Sequence, residues 1–280
     1  MRSGRRGSST LAVPWIVAGI LGAAGCAAAA AETAMAPSDS GRFDLTNWKL
    51  TLPVDEDGES DDDAIEIEDL AGYADPDWFY ATPEGAMVFT APVDGATTGG
   101  SRYPRCELRE MIGGARAAWT LAQGGTLSAT VSVDRVPERD DGTPGRLIVG
   151  QIHGEDDELV RLYYQDGTVY FMNEHAGPDD EELRFDLPDS AGRLPDIGLG
   201  ERFAYLIEAG SDRLTVELHA DGRVYRSDSV PNPVWQDDRF YFKAGVYLGV
   251  NDDSGSGIGR VSFYALDVGH TPGIGRGGLQ

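Results

Sequence analysis

Apolar and polar residues alternate along this chain in short runs, separated by turn residues at nearly regular intervals. Side chains two apart on a strand share a face, so each run reads as a half-buried β-strand. The pattern predicts strands over residues 86–92, 105–112, 126–133, 147–153, 159–164 and 168–173. A second group follows over 203–209, 214–219, 223–228, 240–250 and 261–268. Residues 48–53 read as an edge strand closed by Pro53. Gln165-Asp166-Gly167 and Ala220-Asp221-Gly222 carry the Asp-Gly signal of tight hairpins. No long stretch has helical spacing, although residues 69–77 admit a helical turn. About a dozen short strands predict an all-β fold, a jelly-roll sandwich of two antiparallel sheets, in one domain over residues 43–270.

The same alternation says which residues share a surface. In Arg105-Cys106-Glu107-Leu108-Arg109 the three charged residues face one way, with Cys106 and Leu108 toward the core. Gln151 and His153 flank Ile152 in the same manner, and Tyr241, Lys243 and Tyr247 oppose Phe242, Ala244 and Val246. Gly245 leaves a gap between large side chains, read here as a place where a bound chain approaches the backbone. Each segment alone has an ordinary explanation. An Arg-Glu-Arg row is usually a salt-bridge ladder, a lone strand histidine is usually structural, and a lysine or tyrosine commonly snorkels. Three such strands side by side would instead gather two arginines, a lysine, an amide, an imidazole and a phenol on one surface. That set suits recognition and deprotonation of an acidic sugar.

Composition narrows the partners. The chain of 280 residues carries a formal charge of −24, which excludes nucleic acid and requires any site for a polyanion to be locally basic. Residues 1–36 read as a signal peptide and linker: Arg2, Arg5 and Arg6 precede an apolar run over 11–21 and an alanine-rich stretch with small-residue cleavage sites. The expected location is secreted or cell-envelope. Ala23-Ala24-Gly25-Cys26 loosely matches a lipoprotein box, so a lipid anchor at Cys26 is the one membrane attachment considered. That leaves Cys106 alone in the exported chain, with no disulfide. The acidic stretch 55–63 lacks the glycine spacing of a calcium loop and reads as solvated. Residues 271–280 form a tail, and a monomer is expected.

The three segments together resemble the signature segments of alginate lyases of polysaccharide lyase family 7, in the family's order. Arg105 to Glu110 matches the first, Gln151-Ile152-His153 the second and Tyr241 to Tyr247 the third; residues 48–53 and 261–270 resemble the family's opening and closing strands. The resemblance implies a jelly roll with a concave substrate cleft and an alginate or related polyuronate substrate. It implies catalytic roles for Arg105, Gln151, His153 and Tyr247, and substrate-binding or supporting roles for Glu107, Arg109, Lys243 and Tyr241. Cys106 replaces a usual serine or threonine on the core side. Leu248-Gly249 stands where the family commonly has a polar pair, which leaves one subsite contact open.

The chemistry expected is β-elimination. Arg105 and Gln151 neutralise the uronate carboxylate, His153 removes the C5 proton, and Tyr247 protonates the leaving 4-oxygen. Guluronate presents that proton and oxygen on opposite faces, which suits a separate base and acid; mannuronate presents them on one side, where Tyr247 alone can serve. In the family the chain resembles, the Gln-Ile-His form is associated with guluronate-containing substrate, and the resemblance implies the same here. No cofactor or metal is needed, and His175, His219 and His270 form no ligand cluster in the sequence. Three alternatives stand beside this reading: a lyase for another polyuronate such as glucuronan, a glycoside hydrolase using Glu66 and Glu68, and a carbohydrate-binding module on the same fold.

Overall fold

The computed structural model describes residues 34–58 and 63–270, together with Met1. The expected signal peptide, Cys26 and the tail 271–280 lie outside the described residues. In chain order the strands are β1 (Trp48–Thr51), β2 (Glu66–Ile67), β3 (Phe79–Ala81), β4 (Met87–Pro92), β5 (Arg105–Ile112), β6 (Ala115–Arg116), β7 (Gly125–Arg135), β8 (Glu138–Arg139) and β9 (Leu147–His153). They continue as β10 (Glu158–Gln165), β11 (Thr168–Asn173), β12 (Leu183–Asp186), β13 (Arg202–Gly210), β14 (Arg213–Ala220), β15 (Arg223–Ser229), β16 (Tyr241–Leu248), β17 (Gly255–Ser256) and β18 (Ile258–Gly269).

Two main antiparallel sheets result, beside a two-stranded β17-β8 pair. One has the order β12-β11-β10-β9-β16-β5-β1-β2, with β6 paired to β5; the other runs β15-β14-β13-β7-β18-β4-β3. The inner faces meet in a core that includes Leu108, Phe242, Ala244 and Val246 from the first sheet and Phe89, Val131, Tyr205 and Phe263 from the second. This is the expected jelly-roll sandwich. Both Asp-Gly hairpins have two successive positive φ angles, 47° and 81° at Asp166-Gly167 and 51° and 68° at Asp221-Gly222. That backbone matches the right-handed twist of the strands it joins.

Three expectations need correction. Residues 69–77 form turns; among the described residues the helical pieces are 3-10 segments at Pro37–Ser40 and Pro233–Asp237, each opened by proline. β1 is not an edge strand, because the short β2 pairs its outer side. Gly245 is not a gap left for a ligand. It has φ +148°, and a Cβ there would meet the Cys106 carbonyl oxygen at 2.5 Å and Glu107 Cα at 2.8 Å. The glycine lets β16 press against β5 where its register with β9 shifts, between Ala244 and Tyr247. Gly245→Ala should therefore cost about 1–3 kcal/mol by overpacking, read as a lower urea midpoint with unchanged m-value. An unaltered midpoint would refute the close-approach account.

Candidate active site

The three signature segments lie side by side in the order β9-β16-β5. Tyr241 pairs with His153, Lys243 with both Gln151 and Arg109, and Tyr247 with Arg105. Their polar side chains occupy the face of the sheet turned away from the core, yet Glu107, Gln151 and Lys243 are buried. That face is a recess, and burial there gives its electrostatic contacts weight.

Glu107 is the centre of the recess. It accepts hydrogen bonds from Lys243 Nζ at 2.6 Å and Gln151 Nε2 at 2.5 Å, and Arg105 Nη1 stands 3.5 Å away. Burial opposes its charge, but Lys243, Arg105 and the two hydrogen bonds together hold its carboxyl below the usual range. Lys243 also moves down, to about 8: burial leads, Arg105 adds to it, and Glu107 opposes. Both members of one ion pair thus shift downward. The carboxylate's charge is the secure one, since two cations and an amide converge on it.

On one side of this cluster sits the phenol. The Arg105 guanidinium lies 3.9 Å over the Tyr247 ring, and its Nη2 donates to Ser101 Oγ at 2.7 Å. Ser101 Oγ is 3.1 Å from Tyr247 Oη, so one hydroxyl ties the cation to the phenol. On the other side sits the imidazole. Tyr241 contacts both neighbours, with Arg109 3.7 Å over its ring and His153 stacked against it at 4.9 Å. His153 is pushed down to about 4, first by burial and then by Lys243 and Arg105, against the opposing pull of the Gly154 carbonyl and Glu107. It is therefore neutral near pH 7, with Nδ1 2.8 Å from the Gly154 carbonyl oxygen. That bond places the proton on Nδ1 and the lone pair on Nε2.

The structure brings together all eight sequence-predicted residues, with one difference of emphasis. Gln151 has no exposed surface and turns its amide nitrogen to Glu107, so in this conformation it braces the carboxylate. Arg105 Nε and Arg109 Nε are buried without hydrogen-bond partners, leaving donor capacity in the recess. Cys106 is buried and free, as its core-side position requires. Gly249 packs against Arg146, where a Cβ would come within 2.6 Å of Cγ, and Arg146 in turn lies 4.6 Å over Tyr163. An arginine thus stands beside the position of the unusual Leu-Gly pair. Glu66, on β2, is engaged by Lys49 of the neighbouring β1. Sequence reading missed Ser101, which sits in a glycine-containing turn without periodicity.

Fold and site together define the class, a jelly-roll polysaccharide lyase. The chain belongs to the alginate lyase family, whose pattern matches residues 43–270. An alginate lyase of Klebsiella pneumoniae is 34% identical over 299 residues, covering 90% of this chain and 97% of the relative. The crystal structure of the alginate lyase from Klebsiella pneumoniae superposes with TM-score 0.73 at 32% identity, covering 85% of this chain and 99% of that one. A family 7 alginate lyase solved in complex with substrate (GGMG) gives TM-score 0.65 at 28% identity, covering 85% and 98%.

Proposed function

We propose that this lyase cleaves 4-linked uronate chains by β-elimination and acts on guluronate-containing alginate. The observation that carries the reading is the polarisation of the recess: a neutral imidazole with its lone pair on Nε2 on one side, a phenol hydroxyl held beside Arg105 on the other, and the Glu107–Lys243–Gln151 cluster between them. The sugar carboxylate is neutralised by Arg105, assisted by Arg109, while Gln151 braces Glu107 behind them. Such donors strengthen as negative charge accumulates, and each is worth about 3–4 kcal/mol in a water-excluded site. His153 Nε2 takes the C5 proton, the C4–O4 bond breaks as the C4–C5 double bond forms, and Tyr247 gives its proton to O4. A base on one side and an acid on the other suit guluronate, and the related enzyme bound to GGMG supports a guluronate-containing substrate. Export by residues 1–36 belongs to the same reading, because a polysaccharide substrate is met outside the cell.

Ultraviolet absorbance separates the alternatives. Elimination creates a conjugated unsaturated uronate, whereas hydrolysis or simple binding does not. Absorbance should rise on alginate, faster with guluronate-rich than mannuronate-rich blocks, and stay near baseline on glucuronan. Flat absorbance on every uronan from folded protein would end the elimination reading; a faster rise on mannuronate-rich blocks would end the guluronate one.

A further inference from the structure

His153 has a carboxylate neighbour that none of the signature segments contains. Glu158 stands opposite it in the β9–β10 ladder, and Glu158 Oε1 lies 3.4 Å from His153 Nε2, the nitrogen that carries the lone pair. A register shift creates this pairing. Between Glu158 and Val160 the strand takes up one extra residue, so Leu159 and Val160 both enter the core and Glu158 turns to the recess beside Arg161. The carboxylate is held from behind. Its Oε2 is 3.8 Å from Arg161 Nε, its own backbone N–H donates to Glu174 Oε2 at 2.9 Å, and Arg161 is fixed by Glu174 at 2.8 Å and by Glu182. It remains partly exposed to solvent.

A negative charge in a recess meant for a polyanion hinders binding, so its place beside the imidazole calls for another use. We propose that Glu158 is the positioning and electrostatic partner of His153. This rests on His153 being the base. With Oε1 3.4 Å from Nε2, the carboxylate raises the affinity of that nitrogen for the C5 proton and stabilises the imidazolium that forms. After the elimination the imidazolium gives its proton to water, water returns one to Tyr247, and neutral His153 is restored. No oxidant or co-reactant enters, and the electron pair of the C5–H bond ends in the C4–C5 double bond.

The test is Glu158→Gln, with Glu158→Asp as the charge-preserving control and circular dichroism to verify folding. On guluronate-rich blocks Glu158→Gln should lower kcat about tenfold or more while KM stays level or falls, because a repulsive charge has gone. The loss should be smaller on mannuronate-rich blocks, where Tyr247 serves as base and acid, and Glu158→Asp should recover part of it. In a His153→Ala background the second substitution should add nothing. Wild-type kcat in Glu158→Gln, or equal losses on both block types that add to those of His153→Ala, would overturn the proposal. If His153→Ala itself keeps full activity on guluronate-rich blocks, the base assignment fails first, and that result is distinct from the failure of Glu158 alone.

Discussion

Tyr247→Phe should fold as the wild type does and lose about two to four powers of ten in kcat, with KM within about threefold. The substitution removes one oxygen atom and nothing else of consequence. Phenylalanine keeps the ring under the Arg105 guanidinium, now at 3.9 Å, and the edge contact with Tyr103 at 6.5 Å between centroids. It also keeps the packing on Ile148, Tyr163 and Tyr170 that surrounds the foot of the ring. Ser101 still accepts from Arg105 and still donates to the Tyr103 carbonyl at 3.1 Å, so the cation stays in place. Substrate binding, which depends on the cations, is therefore preserved. Under the proposed mechanism what disappears is the proton for the departing 4-oxygen, without which the sugar leaves as an alkoxide. Steady-state kinetics with melting curves check this directly, and a kcat within threefold of wild type would remove Tyr247 from the acid role. The same logic makes the loss smaller for a substrate whose leaving group departs without protonation.

The elements that carry this site were readable because strand periodicity is strict. Arg105, Glu107 and Arg109 share a face by geometry alone, and the ladder Tyr247–Arg105, Lys243–Arg109, Lys243–Gln151 follows once the three segments are neighbours. Irregularity is what hid the rest. Leu159 and Val160 are adjacent and apolar, so the extra residue that turns Glu158 into the recess leaves no mark on the polar pattern. Gly245 showed its absence of side chain but not which neighbour needed the room; the answer lies 139 positions away in sequence, in the Cys106 carbonyl (245 against 106). Strands of two to four residues, such as Glu66–Ile67 and Leu183–Asp186, are too short to show a period and are held by their partners instead. Gln151 was placed on the correct face, but whether its amide meets the substrate or a neighbouring carboxylate depends on Glu107, across an intervening strand.

Glu107→Ala tests how that buried centre is held together, and its expected effect is on stability as much as on rate. The substitution leaves Lys243 buried beside Arg105 without its ion-pair partner, and frees a Gln151 amide that has no exposed surface. Breaking a buried pair from one side typically costs about 3–5 kcal/mol, because the orphaned ion keeps its desolvation penalty. Lys243, already drawn down to about 8, should lose its proton more readily still. Adding Lys243→Met to Glu107→Ala should recover much of the stability and none of the activity, since a pair replaced by apolar packing no longer strands a charge. The pH dependence has a definite sign. Glu107 titrates lower in the folded than in the unfolded protein, so its contribution is complete above the ordinary carboxylate range and fades as pH falls through its depressed folded value. Urea midpoints of wild type and Glu107→Ala should therefore be furthest apart near neutrality and converge in acid. A gap that is absent at neutral pH would mean that Lys243 and Arg105 reach water, and the recess would then be an open charged surface with little power to strengthen the bonds that elimination requires.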